Sequence, residues 1–363
     1  MADGTGIEWT DATWNPTAGC DYVSPGCKNC YAAKLAGRLA RMGQAKYAGT
    51  TRRVTAGGRG LDVWNGVLNT SPETLEKPLR WKTGRRIFVN SMSDLFHAEV
   101  PFEFIDRVFA VMALTPQHTY QVLTKRPERM RDYILGVGQS SRDPASAVRG
   151  AALAEWVRGA LGGSAVQRLI EASDAGWWEW RHMPNVWLGT SVEDQKRADE
   201  RIPHLLRTPA AIRFLSCEPL LGPVSLHAWM GHWIGTDFVD APPTRVGGRE
   251  IQNRIRVPKL HWIIVGGESG PGARPMHPDW ARSLRDQCQA AGVPFHFKQA
   301  GEWAWSSDEL NFSEGEEWAR SLGCAGEQIQ QHVSGHTAAR VGKKRAGRLL
   351  DGRTWDEMPE ARP

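Results

Sequence analysis

Short apolar runs recur along the chain, each breaking off in polar residues and most leading into a stretch with helical spacing. Ile7-Glu8-Trp9 opens the series, and Arg86-Ile87-Phe88-Val89 ends in Asn90, Ser91, Ser93 and Asp94. Tyr120-Gln121-Val122-Leu123 ends in Thr124, Lys125 and Arg126; Asn185-Val186-Trp187-Leu188 ends in Gly189, Thr190, Ser191 and Glu193. Ile212-Arg213-Phe214-Leu215 ends in Ser216, Cys217 and Glu218, His261 to Val265 in Gly266, Gly267 and Glu268, and Pro294 to Phe297 in Lys298 and Gln299. Between them, Phe104, Ile105, Val108, Phe109 and Met112 share one helical face, as do Trp280, Leu284 and Cys288 after a Pro278-Asp279 start and before a Gly292 stop. The pattern predicts repeated β–α units: an α/β fold with parallel strands, a partial or complete (β/α) barrel. In such folds the carboxyl ends of the strands share one mouth, so these polar clusters are expected to line a common cavity.

Two stretches exceed the regular unit. Residues 136–182 read as extra helices, and residues 228–259, with Pro242-Pro243 and Arg245, Arg249, Arg254, Arg256 and Lys259, read as a loop or hairpin. The expected organisation is a barrel over residues 1–300 carrying both insertions, then an extension over 301–363 that packs on it. The basic tail with Lys343, Lys344, Arg345, Arg348 and Arg353 is placed to fold over the mouth or to meet phosphate.

Composition narrows the picture. Among 363 residues, 41% are hydrophobic, with no uninterrupted apolar run long enough for a bilayer, so no membrane span is expected. A net charge of +5 permits a nucleic-acid or phosphate-bearing partner without requiring one. Six cysteines and no apolar leader segment point to a reducing cytoplasm rather than a disulfide framework. Cys217 and Cys288 read as small buried apolar residues, whereas Cys20, Cys27 and Cys30 stand together in GCDYVSPGCKNCYA. The two-residue gap and the Pro25-Gly26 turn let these thiolates face one centre. An iron–sulfur site with an open corner fits that spacing; a zinc site completed by a distant residue such as His97, or simple packing, are the alternatives.

Taken with IEWTDATWNPTAGC, SMSDLFH, LTKRPERM, LGTSVED, SCEPLLGP, VGGESGPGARPM, FKQAGEW and GRLLDGRTWDEMP, the cysteine motif resembles that of the three-cysteine-motif proteins of bacteriophages and bacteria. That family in turn resembles radical S-adenosylmethionine enzymes, spore photoproduct lyase among them. The resemblance implies Cys20, Cys27 and Cys30 as ligands of a 4Fe–4S cluster, with S-adenosylmethionine as second cofactor and an external electron donor. It implies generation of a 5′-deoxyadenosyl radical and abstraction of a hydrogen atom from substrate. The sequence departs from that pattern in its six-residue gap between Cys20 and Cys27, in Asn29 before the third cysteine with Tyr31 after it, and in Gly266-Gly267-Glu268, which closes the sixth strand rather than the second.

By position, Ser91, Ser93 and Asp94, beside Asn90, are the candidates for the cofactor's amino group. Ser191 and Glu193, next to Thr190, are candidates for its ribose or carboxylate, and Tyr31 flanks the cluster. The serines serve equally as strand-end or helix caps. Lys125, Arg126, Glu218, Glu268 and Lys298 remain for substrate, the lysines as phosphate-binding point charges. The phage-type resemblance and basic balance point to modification or repair of a nucleic-acid base or nucleotide, DNA included. A zinc-stabilised, non-catalytic protein that binds nucleic acid or a partner protein is the competing class.

Overall fold

The computed structural model describes residues 5–56, 59–138, 144–172, 183–230, 238–246, 249–256, 259–307 and 310–360. At its centre stand β1 (Ala12–Trp14), β2 (Arg86–Val89), β3 (Thr119–Thr124), β4 (Val186–Ser191), β5 (Ile212–Cys217), β6 (Trp262–Gly266) and β7 (Phe295–Gln299). They form one seven-stranded sheet in that spatial order, every neighbouring pair parallel. Chain order equal to spatial order is the winding of a barrel; a doubly wound sheet reverses it partway. The sheet is open, with β1 and β7 at its edges, so the fold is a partial barrel.

Both faces of the strands are buried, which explains the nearly continuous apolar runs. One set of alternating positions, including Ile87, Val89, Val122, Leu188, Leu215, Val265 and Phe297, joins the large helix-covered core. The other set, Phe88, Trp187, Ile212, Phe214, Trp262 and Ile264, forms a separate cluster on the concave side. Gly189 lies between Trp187 and Ser191 on that inner face; a Cβ there would stand 2.5 Å from the ring of the fully buried Phe214.

The predicted first strand differs from the observed one. Ile7-Glu8-Trp9 lies in a turn, and the strand begins at Ala12, pairing Ala12 with Ile87 and Trp14 with Val89. Trp9 plugs the concave face instead, its ring centroid 4.8 Å from Phe88 and 6.1 Å from Trp262, while its carbonyl accepts from Gln121 Nε2. A three-residue apolar–polar–apolar pattern satisfies a half-buried strand and a plug equally well, and only the register with β2 separates them.

The helices α1 (Tyr31–Arg41), α2 (Phe102–Ala113), α3 (Pro127–Gly138), α4 (Gln195–Arg207) and α5 (Pro278–Ala291) follow β1, β2, β3, β4 and β6. In α2 the expected Phe104, Ile105, Val108, Phe109 and Met112 are buried, and α5 starts at Pro278 and stops at left-handed Gly292. The stretch 136–182 contains helices over Pro144–Leu161 and Gly163–Ala172, with 139–143 and 173–182 outside the described residues. The stretch 228–259 contains an antiparallel hairpin, Phe238–Val246 with Arg249–Arg256; the side chains of Arg245, Arg249, Arg254 and Arg256 lie outside the described residues.

Beyond β7 the strands Trp303–Trp305, Thr337–Arg340 and Ile329–Gln331 make a small antiparallel sheet. The chain then returns along the open edge of the barrel. Phe297 N–H donates to Trp355 O at 2.9 Å, Trp262 Nε1 to Glu357 O at 2.8 Å, and Arg86 Nη1 to Met358 Sδ at 2.7 Å. The last residues thus span from β7 to β2 where a complete barrel would have closed on itself. Among the described residues no helix is long and apolar enough to cross a membrane.

Candidate functional site

The carboxyl ends of the strands surround a cavity of about 430 Å³, and Cys20, Cys27 and Cys30 all line it. Its apolar floor is Trp9, Phe88 and Leu123; its polar wall includes Asn90, Ser91, Ser93, Asp94, Lys125, Arg126, Ser191, Glu218, Glu268 and Lys298, and Tyr31 stands at the cysteine side. The expectation that strand-end polar clusters converge is met by all of these. Thr190 and Glu193 do not line it: Thr190 Oγ1 donates to Thr124 O at 2.9 Å within the sheet, and Glu193 sits behind the cysteine loop.

Local sequence shapes that loop. Gly19, at φ 102, holds a left-handed conformation and lies against the Val67 carbonyl where no side chain fits. Its N–H donates to Met92 O at 3.3 Å, which brings Cys20 beside the loop after β2. A 3-10 turn over Pro25–Cys27 and the bond from Cys30 N–H to Cys27 O at 3.3 Å fold the second and third cysteines together. Cys30 then stands at the N-cap of α1, which ties the end of the cysteine loop to that helix.

Two buried carboxylates grip the loop from opposite sides. Glu193, at the end of β4 and 1% exposed, accepts from Gly26 N–H at 3.3 Å and from the Ser24 hydroxyl, and pairs with Arg201 at 2.9 Å. Glu268, at the end of β6, accepts from Asn29 Nδ2 at 2.8 Å and from Arg274 at 2.6 Å, while Arg274 also donates to Pro25 O at 3.0 Å. Burial opposes the charge of Glu193, yet Arg201, Ser24, Lys125 and Gly26 outweigh it and hold the carboxyl below the ordinary 4.5. For Glu268 burial is likewise outweighed, by hydrogen bonds from Arg274 and Asn29.

Asp94 is fully engaged. It accepts from Thr124 Oγ1 at 2.7 Å, Lys125 N–H at 3.0 Å, Phe96 N–H at 3.0 Å and Arg126 Nη1 at 2.9 Å. It therefore aims Arg126, whose Nη1 lies 3.9 Å from Cys20 Sγ and whose Nη2 pairs with Asp21. Desolvation, with the Asp94 charge added, pushes the Cys20 thiol up to about 12 against the pull of Arg126, so a metal binding there displaces a proton. Ser91 and Ser93 are also committed, to Asn15 Oδ1 at 3.1 Å and to Thr17 at 2.8 Å. Asn90, buried at φ 60, gives its Nδ2 to Thr17 Oγ1 and leaves Oδ1 without a partner. Tyr31 donates to Ser91 O at 2.9 Å.

Across the cavity, Lys298 Nζ lies 2.8 and 3.0 Å from the two oxygens of Glu218. Lys125 Nζ donates to Ser191 Oγ at 3.2 Å, and among the described residues it has no carboxylate within ion-pair distance.

The donor set fits a three-thiolate cluster with one open corner. The cavity lining contains no histidine and no further cysteine; Cys217, Cys288 and Cys324 are buried elsewhere. His97 is not in the lining, and its Nε2 faces Asp21 Oδ1 at 3.3 Å. Among the described residues no three His, Cys, Asp or Glu side chains yet surround a common point as metal ligands.

Sequence reading marks Asn29 only as a departure from the family pattern and gives no role to Ser24, Arg201 or Arg274, yet these four make the grip on the loop. A readable signal exists: a strand-ending glutamate followed within one helical turn or two by arginine occurs twice, as Glu193 with Arg201 and Glu268 with Arg274. A family model with the description "Protein of unknown function (DUF5131)" matches residues 4–359. No curated protein and no solved structure matches the chain.

Proposed function

Because the chain belongs to that family, whose description assigns no chemistry, we propose its function from the site: a radical S-adenosylmethionine enzyme acting on a nucleic-acid base or nucleotide. The observation that carries the reading is the trio of cysteines on one cavity wall, with no fourth Cys and no His among the described residues that line that cavity. Cys20, Cys27 and Cys30 would hold a 4Fe–4S cluster, and the cavity beside them would receive S-adenosylmethionine. When bound, that pair of cofactors supplies a reducing electron from an external donor, a labile sulfonium and so hydrogen-atom abstraction.

The protein's own share is positioning and exclusion of water. Glu193 and Glu268 fix the loop before any cofactor arrives, so little ordering cost remains at binding. Arg126 offsets negative charge gathered at Cys20. The floor of Trp9 and Phe88 keeps the inner end dry. Asn90 Oδ1 is the spare acceptor for the cofactor's amino group, since Ser91, Ser93 and Asp94 already hold protein partners. Ser191, beside Lys125, is left to meet ribose or carboxylate. Lys125 and the Glu218–Lys298 pair offer a phosphate-binding cation and a switchable polar pair to the substrate. A net charge of +5 and the exposed Tyr22 and Tyr31 on the cysteine side suit a nucleic-acid partner.

Anaerobic reconstitution with iron and sulfide tests the reading. Brown protein that cleaves S-adenosylmethionine under reduction is expected. Colourless protein holding zinc in a closed site would establish the non-catalytic binding protein instead.

A further inference from the structure

A second group of metal-type donors lies away from the cavity, where the small C-terminal sheet meets α5. His277 caps the amino end of α5 and is 2% exposed. Opposite it stands the turn 332–336, closed by His332 N–H to His336 O at 2.9 Å and Gly335 N–H to His332 O at 3.0 Å. His277 Nε2 lies 3.2 Å from His336 Nδ1. The Ser334 hydroxyl sits among the three rings, 3.0 Å from His277 Nε2, 2.8 Å from His336 Nδ1 and 2.7 Å from His332 Nδ1. The His332 and His336 ring centroids are 4.5 and 5.1 Å from that of His277, and Trp305, at 4.6 Å, walls one side.

Two imidazole nitrogens bound to one tetrahedral ion at about 2.0–2.1 Å stand roughly 3.3 Å apart, close to the separation of His277 and His336. What occupies the centre is the hydroxyl of exposed Ser334, which one side-chain rotation removes. The outer support is present as well. Asp279 Oδ2 lies 3.5 Å from His277 Nδ1, placed to accept the Nδ1 proton once Nε2 binds metal, in a carboxylate–histidine–metal arrangement. The 3.2 Å contacts from the backbone N–H of Asp279 to His277 and of Ser334 to His332 give way in that tautomer.

Although among the described residues no three such side chains enclose a metal-sized point as they stand, we infer that His277, His332 and His336 form a binding site for a divalent transition-metal ion of the zinc class once the Ser334 hydroxyl between them moves aside. Imidazole donors select such ions over calcium or magnesium. His332 and His336 bind through Nδ1 and His277 through Nε2, whose proton passes to Nδ1, so each ligand stays neutral. The ion joins the C-terminal sheet to the last barrel helix, a contact that Trp303 Nε1 to Ala273 O and Trp305 Nε1 to Met276 O, both at 2.8 Å, already outline.

The inference is independent of the cysteine cavity and is tested apart from it. Cobalt(II) alone is titrated into chelator-treated full-length protein carrying Cys20→Ser, Cys27→Ser and Cys30→Ser. Saturable uptake with visible d–d bands and no thiolate charge-transfer band is expected, and adding His332→Ala with His336→Ala should weaken it at least tenfold. Absence of uptake, or uptake untouched by the two alanines, overturns the site. Should the serine variant fail to fold, zinc added to the wild-type chain should raise its unfolding temperature. The same addition should raise the His332→Ala/His336→Ala chain distinctly less, any remaining rise coming from the free cysteines, and an equal rise in both chains likewise overturns it.

Discussion

The two ends of the concave face are built on opposite principles. The inner end is a ring of aromatic and aliphatic side chains, Trp9, Phe88, Trp187, Phe214, Trp262 and Ile264, held by shape. The outer end is a ring of paired charges, Asp94–Arg126, Glu193–Arg201, Glu268–Arg274 and Glu218–Lys298, around three thiols. Shape fixes the strands, and charge fixes the loop that the strands carry. Packed rings yield a floor in which few polar atoms, such as the Gln121 amide against Trp9, are enclosed; buried carboxylates tolerate no loss of partner and so hold the cysteine loop in one conformation.

The largest expected effect removes what the outer ring encloses. Cys27→Ala should abolish both colour and S-adenosylmethionine cleavage in reconstituted protein while leaving the unfolding midpoint of the apo chain nearly unchanged, since Cys27 is only half-buried. Absorbance and product chromatography check this. Breaking the inner ring should do the reverse: Trp9→Ala empties the plug and should cost about 3–5 kcal/mol by denaturant titration, as expected for a fully packed tryptophan.

Between these extremes lies the grip on the loop. Glu193→Ala leaves Arg201 buried without a counter-charge, and a loss of about 3 kcal/mol is expected, together with lower iron occupancy. Glu193→Gln, which keeps an acceptor for Gly26 N–H, should lose less. The carboxyls of Glu193 and Glu268 are both held below 4.5 in the folded chain, so their contribution is present above that value and fades as pH falls through the lower folded values. The protection factor of the loop amides, exchange corrected for its intrinsic pH dependence, should therefore fall in acid below the ordinary glutamate range and stay constant from there to neutrality. The smallest effect concerns Glu218 and Lys298, which are partly solvated; a double-mutant cycle should return a coupling of about 1 kcal/mol in stability.

Much of this was legible in the sequence. Asp94, Lys125, Arg126, Glu218, Glu268 and Lys298 were placed on one cavity simply because each follows an apolar strand, and the strand-to-helix rhythm of a parallel fold brings such residues to one face. What escaped depends on tertiary pairing. Trp9 looked like part of a strand because its pattern is too short to carry a period. Glu193 looked like a cavity residue, but Arg201, eight positions on and one face of α4 away, turns it towards Gly26. His277 is separated from His332 and His336 by two α-helices and three strands, so no spacing in the sequence unites them.

The central claim is that the three thiolates leave one metal corner to a small molecule. Electron paramagnetic resonance of the dithionite-reduced, reconstituted protein tests it most directly. The account expects a 4Fe–4S signal lost in Cys20→Ala, Cys27→Ala or Cys30→Ala and shifted by added S-adenosylmethionine. A signal indifferent to S-adenosylmethionine, or protein that takes zinc and no iron, would contradict it.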